Sequence, residues 1–340
     1  MTLPNKIAIG TSCLGQSSTH TLTTKIRAAA KANFQGLEIV YGDLERYSAS
    51  QNISITEGAK QIRNLTDDLG LAILSLAPFE NFEGSERPLE ERLDVARHWL
   101  DIARRLGAIY LQIPSYYDVD SAAPFDEDVI VKELQTLADL ASSTQPAISL
   151  AYEPLSWGIN YSTWDAAYRL VQLVNRENFG LCMDTFHEVT KLWACSTIPS
   201  GIYPDGPEEL SSSLKRFVNT VPVNKIFYIQ LSDAEKFEPP FSEKHEWFVE
   251  GEAPEFTWSK HARPYPLERE YGGYTPVVEI VRAWVRETGF GGWISMEIFD
   301  RRMRSEKYGV GVAAERGWRS WVAVQRGIVE GEEESIRAKV

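Results

Sequence analysis

The sequence predicts one (β/α)8 barrel of the α/β class, and three observations carry that expectation. Short apolar, β-rich runs alternate with longer amphipathic segments along the whole chain; the runs number eight; and no glycine-rich phosphate loop follows the first of them. Such a barrel needs roughly 250 residues, and the 340 here leave room for loop insertions. A doubly wound open sheet would share the alternation, but would carry a G-x-G-x-x-G turn after its first strand. Residues 10–16 read GTSCLGQ instead.

The strands are expected at 6–14, 36–41, 72–78, 108–114, 147–153, 179–184, 225–232 and 292–299. Helices are expected at 21–33, 53–69, 89–105, 126–142, 163–175, 207–220, 275–287 and 311–328. In 89–105 the residues Leu89, Leu93, Ala96, Leu100 and Ala103 recur at three- and four-residue intervals, which places one apolar stripe against the barrel. Glycine punctuates the helix-to-strand passages in LGLAIL, LGAIYL and TGFGGWISM, where a helix must stop. The one long break in rhythm, 233–274, is rich in Pro, Glu and aromatic residues. It is too long for an idle connection and reads as a functional loop or cap after strand seven, leaving 1–340 as a single domain.

A net charge of −13, with the basic residues dispersed, argues against nucleic acid as a partner. No segment approaches the roughly 20 uninterrupted apolar residues of a membrane helix, so neither is a membrane expected. Cys13, Cys182 and Cys195 are isolated, without the CxxC spacing of a thiolate zinc site or the pairing of a disulfide framework. The opening residues Met-Thr-Leu-Pro-Asn-Lys lack a secretory signal pattern, and the expected location is the cytoplasm. No exposed helix face marks an oligomer seam, which leaves the oligomeric state open.

In a barrel of this kind the active site lies at the C-terminal ends of the strands. Strand five ends in Glu153, strand six in Asp184, strand seven in Gln230 and strand eight in Glu297, each after a nearly apolar run. Three carboxylates converging on one mouth repel one another unless a cation joins them. The four residues therefore read as ligands of a divalent metal, and oxygen-rich ligation without Cys suits magnesium, manganese or cobalt. His187, expected in the loop leaving strand six, is the candidate catalytic acid or base beside that metal. Asp233, past Gln230, is a candidate brace for the site, while His245 and His261 in the long loop have weaker claims.

The stretches AYEPLSWG, NFGLCMDTF, KIFYIQLSDAE and MEIFDRRM resemble, in that order, those of fungal 3-dehydroshikimate dehydratases of the xylose isomerase-like barrel superfamily. FQGLEI, PFENFEG, LQIPS, WSKHARPYP and EYGGYTPVVEI extend the likeness along nearly the whole chain. The resemblance implies a metal-dependent lyase that converts 3-dehydroshikimate to protocatechuate and water in quinate and shikimate catabolism, with Glu153, Asp184, Gln230 and Glu297 holding the metal. It also implies a small carboxylate substrate, for which Arg263 is the expected partner and Trp157 the expected wall against the ring. A keto-sugar isomerase or epimerase on the same barrel is the alternative, and a metal-free binding protein the third reading. Two positions depart from the pattern: Leu155 stands where some relatives carry His, which leaves His187 as the base, and Glu80 stands where a basic or bulky residue is expected.

Overall fold

The computed structural model describes residues 3–337, with side chains as far as residue 330. Eight parallel strands close a barrel in sequence order. They are β1 (Ile7–Gly10), β2 (Gly36–Val40), β3 (Ala72–Ala77), β4 (Tyr110–Pro114), β5 (Ser149–Glu153), β6 (Phe179–Asp184), β7 (Ile226–Leu231) and β8 (Trp293–Met296). Closure comes from β1 against β8, with Ile7, Ala8 and Ile9 opposite Ile294, Ser295 and Met296. The strands are buried along nearly their whole length, as parallel strands sheathed by helices must be, and this explains their continuous rather than alternating apolar pattern.

The sheath forms where local chemistry starts and stops it. Thr21, Ser54, Asp126 and Thr163 each accept a hydrogen bond from a backbone N–H of the first turn of the helix that follows. Helix Leu89–Leu106 ends on Gly107 at φ 74°, a left-handed position that suits glycine. The expected helix at 275–287 is a short α-helix, Val277–Val281, that passes into a π-helical stretch, Arg282–Glu287. Three further helices were not expected: Tyr41–Ser50 directly after β2, Thr185–Leu192 directly after β6, and Pro254–His261 inside the long segment after β7.

That segment is an ordered cap. Asp233, buried at its start, accepts hydrogen bonds from the backbone N–H groups of Ala234, Leu267, Tyr274 and Thr275 and from the Thr275 hydroxyl. One carboxylate thus fastens both ends of a forty-residue excursion. The last expected strand is also shorter than its apolar run: the chain leaves the barrel after Met296, and Phe299–Asp300 pairs antiparallel with Ala262–Arg263 of the cap.

Two buried carboxyls, Glu83 in the loop after β3 and Glu188 in helix Thr185–Leu192, give the fold a pH dependence. Burial pushes Glu83 and Glu188 up to about 7; Tyr116 N–H and Tyr152 OH donate to Glu83, and Ser213 OH to Glu188. A folded value above the ordinary 4.5 means that the folded state holds the proton more tightly. The associated stability is therefore complete below about pH 4.5 and lost as pH rises through 7, on the order of 3 kcal/mol per group. Glu188→Gln is expected to flatten this part of the curve, measured as the difference between urea unfolding free energies at pH 5 and pH 8. A variant that keeps the wild-type difference contradicts the assignment.

Candidate active site

Polar side chains interrupt the apolar strands where the barrel opens. Glu38 of β2 reaches across to Gln230 of β7, whose Nε2 donates to both Glu38 oxygens at 3.2 and 3.1 Å and to Glu297 Oε1 at 3.1 Å. The Gln230 carbonyl is turned to the Cys182 thiol, which donates to it at 3.1 Å. Ser75 OH donates to Glu38 Oε2 at 2.9 Å, and Gln112 Nε2 donates to Glu153 Oε2. Asp184 caps the next helix, accepting from Phe186 N–H at 2.8 Å through Oδ1. Its Oδ2 remains directed at the site.

Four carboxylates, Glu38, Glu153, Asp184 and Glu297, thus share one small region. Burial holds the Glu38 carboxyl above its ordinary value. Burial, and then the Asp184 charge, hold Glu153 well above the usual range; burial, and then the Glu153 charge, do the same to Glu297. Arg263, from the cap, meets this charge: Nη2 donates to Asp184 Oδ2, to Glu297 Oε2 at 3.1 Å and to the Glu297 carbonyl at 3.0 Å. Ser232 OH and Ser259 OH accept from the same guanidinium, which lies over the Phe186 ring at 4.5 Å. Strand-end carboxylates and a loop arginine 79 positions away thereby form one charge cluster.

The residues present fit a divalent cation. Carboxylate oxygens of Glu153 and Asp184 lie within 4.8 Å of one another, and a ring nitrogen of His187 borders the same space. Among the described residues no hydrogen-bond donor satisfies the buried Glu153 Oε1. A buried carboxylate oxygen without a donor is costly, and a metal ion is one remedy. Of the four expected ligands, Glu153 and Asp184 belong to this group, and Gln230 and Glu297 adjoin it through the contacts above.

His187 is not on a loop, as expected from the sequence, but in the first turn of helix Thr185–Leu192. Its Nδ1 accepts from Ser156 N–H at 3.0 Å, while Nε2 lies 3.4 Å from Glu153 Oε1 and 3.7 Å from Asp184 Oδ2. Burial pushes the imidazole down to about 3. Trp157 packs edge-on to that ring at 4.8 Å and against Phe256 of the cap at 5.0 Å. Both rings, with Arg263, His187, Glu153 and Glu297, line a cavity of about 300 Å³, and Glu80 lines it as well, accepting from Tyr117 OH at 2.6 Å.

Other candidates lie elsewhere. Asp233 clamps the cap, His245 sits among Phe237, Phe241 and Trp247, and His261 stacks on Trp247 and meets Arg304. Arg301 and Arg302 hold Glu235. Glu38 and Gln112 were passed over as site residues, although FQGLEI and LQIPS each set one polar residue inside an apolar strand. That interruption was the available signal.

The chain is 33% identical over 318 residues to the 3-dehydroshikimate dehydratase of Neurospora crassa, covering 89% of each. A solved fusion of a xylose isomerase-like TIM barrel with a 4-hydroxyphenylpyruvate dioxygenase superposes with a TM-score of 0.75 at 25% identity, over 98% of this chain and 45% of that one. The IolI protein, solved with a bound zinc atom, shares the fold at a TM-score of 0.69 and 19% identity, over 94% of this chain and 97% of its own. The xylose isomerase-like TIM barrel family model matches residues 26–322, a span that runs from within the first helix past the closing strand into the last helix, and the chain belongs to that family.

Proposed function

We propose that this protein is a divalent-metal-dependent 3-dehydroshikimate dehydratase, a hydro-lyase that eliminates water from 3-dehydroshikimate to give protocatechuate. The observation that carries this reading is the cluster of strand-end carboxylates against Arg263, in a chain that is 33% identical to a relative of that activity along 89% of its length. Magnesium, manganese or cobalt suits the oxygen-rich donors, with Glu153, Asp184 and Glu297 as the proposed ligands and Gln230 as the fourth once its amide turns the oxygen from Cys182 toward Glu297. A bound cation would supply Lewis-acid polarisation of a substrate oxygen.

The remaining work falls to the chain. Among the described residues Arg263 Nη1 donates to Ser259 OH at 3.1 Å, and its second hydrogen is assigned to the substrate carboxylate. Trp157 and Phe256 are the proposed flat wall against the ring, excluding water from it. His187 is assigned the catalytic contact, since its ring borders the cavity. A small carboxylate is thus the proposed partner, and the cytoplasm the proposed location. No helix among the described residues is long and apolar enough to cross a membrane.

Purified, metal-loaded protein given 3-dehydroshikimate is expected to produce protocatechuate, followed by its ultraviolet absorbance, and a chelator is expected to stop the reaction. No product from metal-loaded protein would move the assignment to a keto-sugar isomerase or epimerase. Manganese added at about a hundred times its Kd is expected to raise unfolding free energy by about 2.7 kcal/mol. Glu153→Ala and Glu297→Ala should lose both that stabilisation and turnover while keeping a native circular dichroism spectrum; full activity in either variant would remove that residue from the ligand set.

A further inference from the structure

We propose that His187 works as a fixed, neutral hydrogen-bond donor through Nε2–H, not as the base, and that the backbone of the turn after β5 sets this tautomer. The carrying observation is the 3.0 Å hydrogen bond from Ser156 N–H to His187 Nδ1. A backbone N–H only donates, so Nδ1 carries the lone pair, and the hydrogen of the neutral ring is on Nε2.

The Leu155–Ser156 peptide has no freedom to turn away. Its carbonyl accepts from Gly158 N–H at 2.8 Å, and Leu155 N–H donates to Ser115 OH at 3.0 Å. The turn closes tightly enough that a Cβ on Gly158 would lie 2.4 Å from Ser115 Oγ, so glycine is required there for close approach. Ser156 OH lies 3.4 Å from the same Nδ1, and Lys191 Nζ donates to the Ser156 carbonyl at 3.3 Å, tying the turn to the helix that bears His187. The ring is held from the other side by the edge-on Trp157.

At the opposite edge Nε2 is 3.4 Å from the nearest carboxylate oxygen, beyond a good N–H···O distance of roughly 2.7–3.2 Å. The hydrogen is therefore aimed at the carboxylate cluster without being spent on it, on a ring that borders the cavity. Two consequences follow. Ligation of a metal by Nε2 would need the hydrogen moved to Nδ1, against Ser156 N–H, so the imidazole stays out of the coordination shell. Proton abstraction by Nε2 would need the same move, so the proton leaving carbon goes to a carboxylate lining the cavity, Glu153 or Glu297. In the elimination, which rests on the dehydratase reading, the C–H electron pair moves toward the ketone oxygen to give an enolate, which re-forms the carbonyl as it expels the β-hydroxyl; the carboxylate that took the carbon proton returns it to the departing oxygen, so water leaves, and the ring tautomerises to the catechol. Nε2–H donates to the oxygen on which charge develops, and no proton is gained or lost by His187.

The tautomer is read directly from nitrogen-15 spectra of histidine-labelled, magnesium-loaded protein, with His187→Gln identifying the signals. The expected pattern at neutral pH is a pyrrole-like Nε2 and a pyridine-like Nδ1. A pyrrole-like Nδ1, whether in the other neutral tautomer, a metal-ligated ring or an imidazolium, overturns the proposal, and this result does not depend on the substrate. Kinetics supply the second test. Glutamine places an amide N–H near Nε2 without basicity, so His187→Gln is expected to keep kcat within about tenfold, whereas His187→Ala should lose about 10² to 10³, the effect of deleting one such donor. Equal losses in the two variants would restore His187 as the base.

Discussion

Repulsion among buried carboxylates is the constraint from which the architecture of the mouth follows. Two unit charges 4 Å apart interact by about 4 kcal/mol at an effective dielectric constant of 20, and here Glu38, Glu153, Asp184 and Glu297 are drawn together with Arg263 as the cation in contact. One guanidinium does not balance four acids. Burial accordingly holds Glu38 above the ordinary carboxylate range, and burial with mutual charge does the same to Glu153 and Glu297. Neutral donors spread the remaining burden: Gln112 on Glu153, Ser75 on Glu38, and Gln230 between Glu38 and Glu297. The cluster is a structure prepared for positive charge.

Such a cluster needs a scaffold that resists it, and the barrel supplies one. Each acid is anchored to a strand or to the residue directly after one, so relaxation by moving apart would break ladder hydrogen bonds between neighbouring strands. The cap is anchored by the same logic in reverse. Asp233, buried with five donors around it, fixes the 233–275 excursion so that Ala262–Arg263 pairs with Phe299–Asp300 and Arg263 arrives beside Asp184.

The barrel was legible because its strands are buried on both faces and its helices on one, which writes two different periodicities into the chain. Glu153, Asp184, Gln230 and Glu297 were legible because each ends an apolar run. Glu38 and Gln112 obey the same chemistry but stand inside their strands, β2 and β4, where strand-end reasoning does not look. The helix bearing His187 was hidden because Asp184 is at once the end of β6 and the N-cap of Thr185–Leu192, leaving no loop residue to separate the two periods. Arg263 was placed in the loop by motif, but its pairing with Asp184 and Glu297 is a contact between distant segments, and no local pattern encodes that.

Charge is also distributed unevenly around the cavity, and this bears on how a substrate lies in it. The cap contributes Arg263, Ser259 and Lys260, whose ammonium lies over the Phe256 ring at 4.4 Å; Glu80, bound to Tyr117 OH, stands beside that wall, since the Tyr117 ring packs against Phe256 at 5.6 Å. Both charges of this wall are partnered, Lys260 by Glu252 and Glu80 by the Tyr117 phenol. The acid at Glu80, a departure from the expected pattern, therefore need not exclude a carboxylate substrate: its charge is held by the Tyr117 OH, and the Lys260 ammonium borders the same Phe256 ring. On the proposed reading, a substrate carboxylate on Arg263 would leave the reacting carbons toward the strand ends, where the carboxylates and the His187 Nε2 edge converge. Recognition on the cap and chemistry on the barrel are then separable functions, and the rigid element carries the one that tolerates less movement.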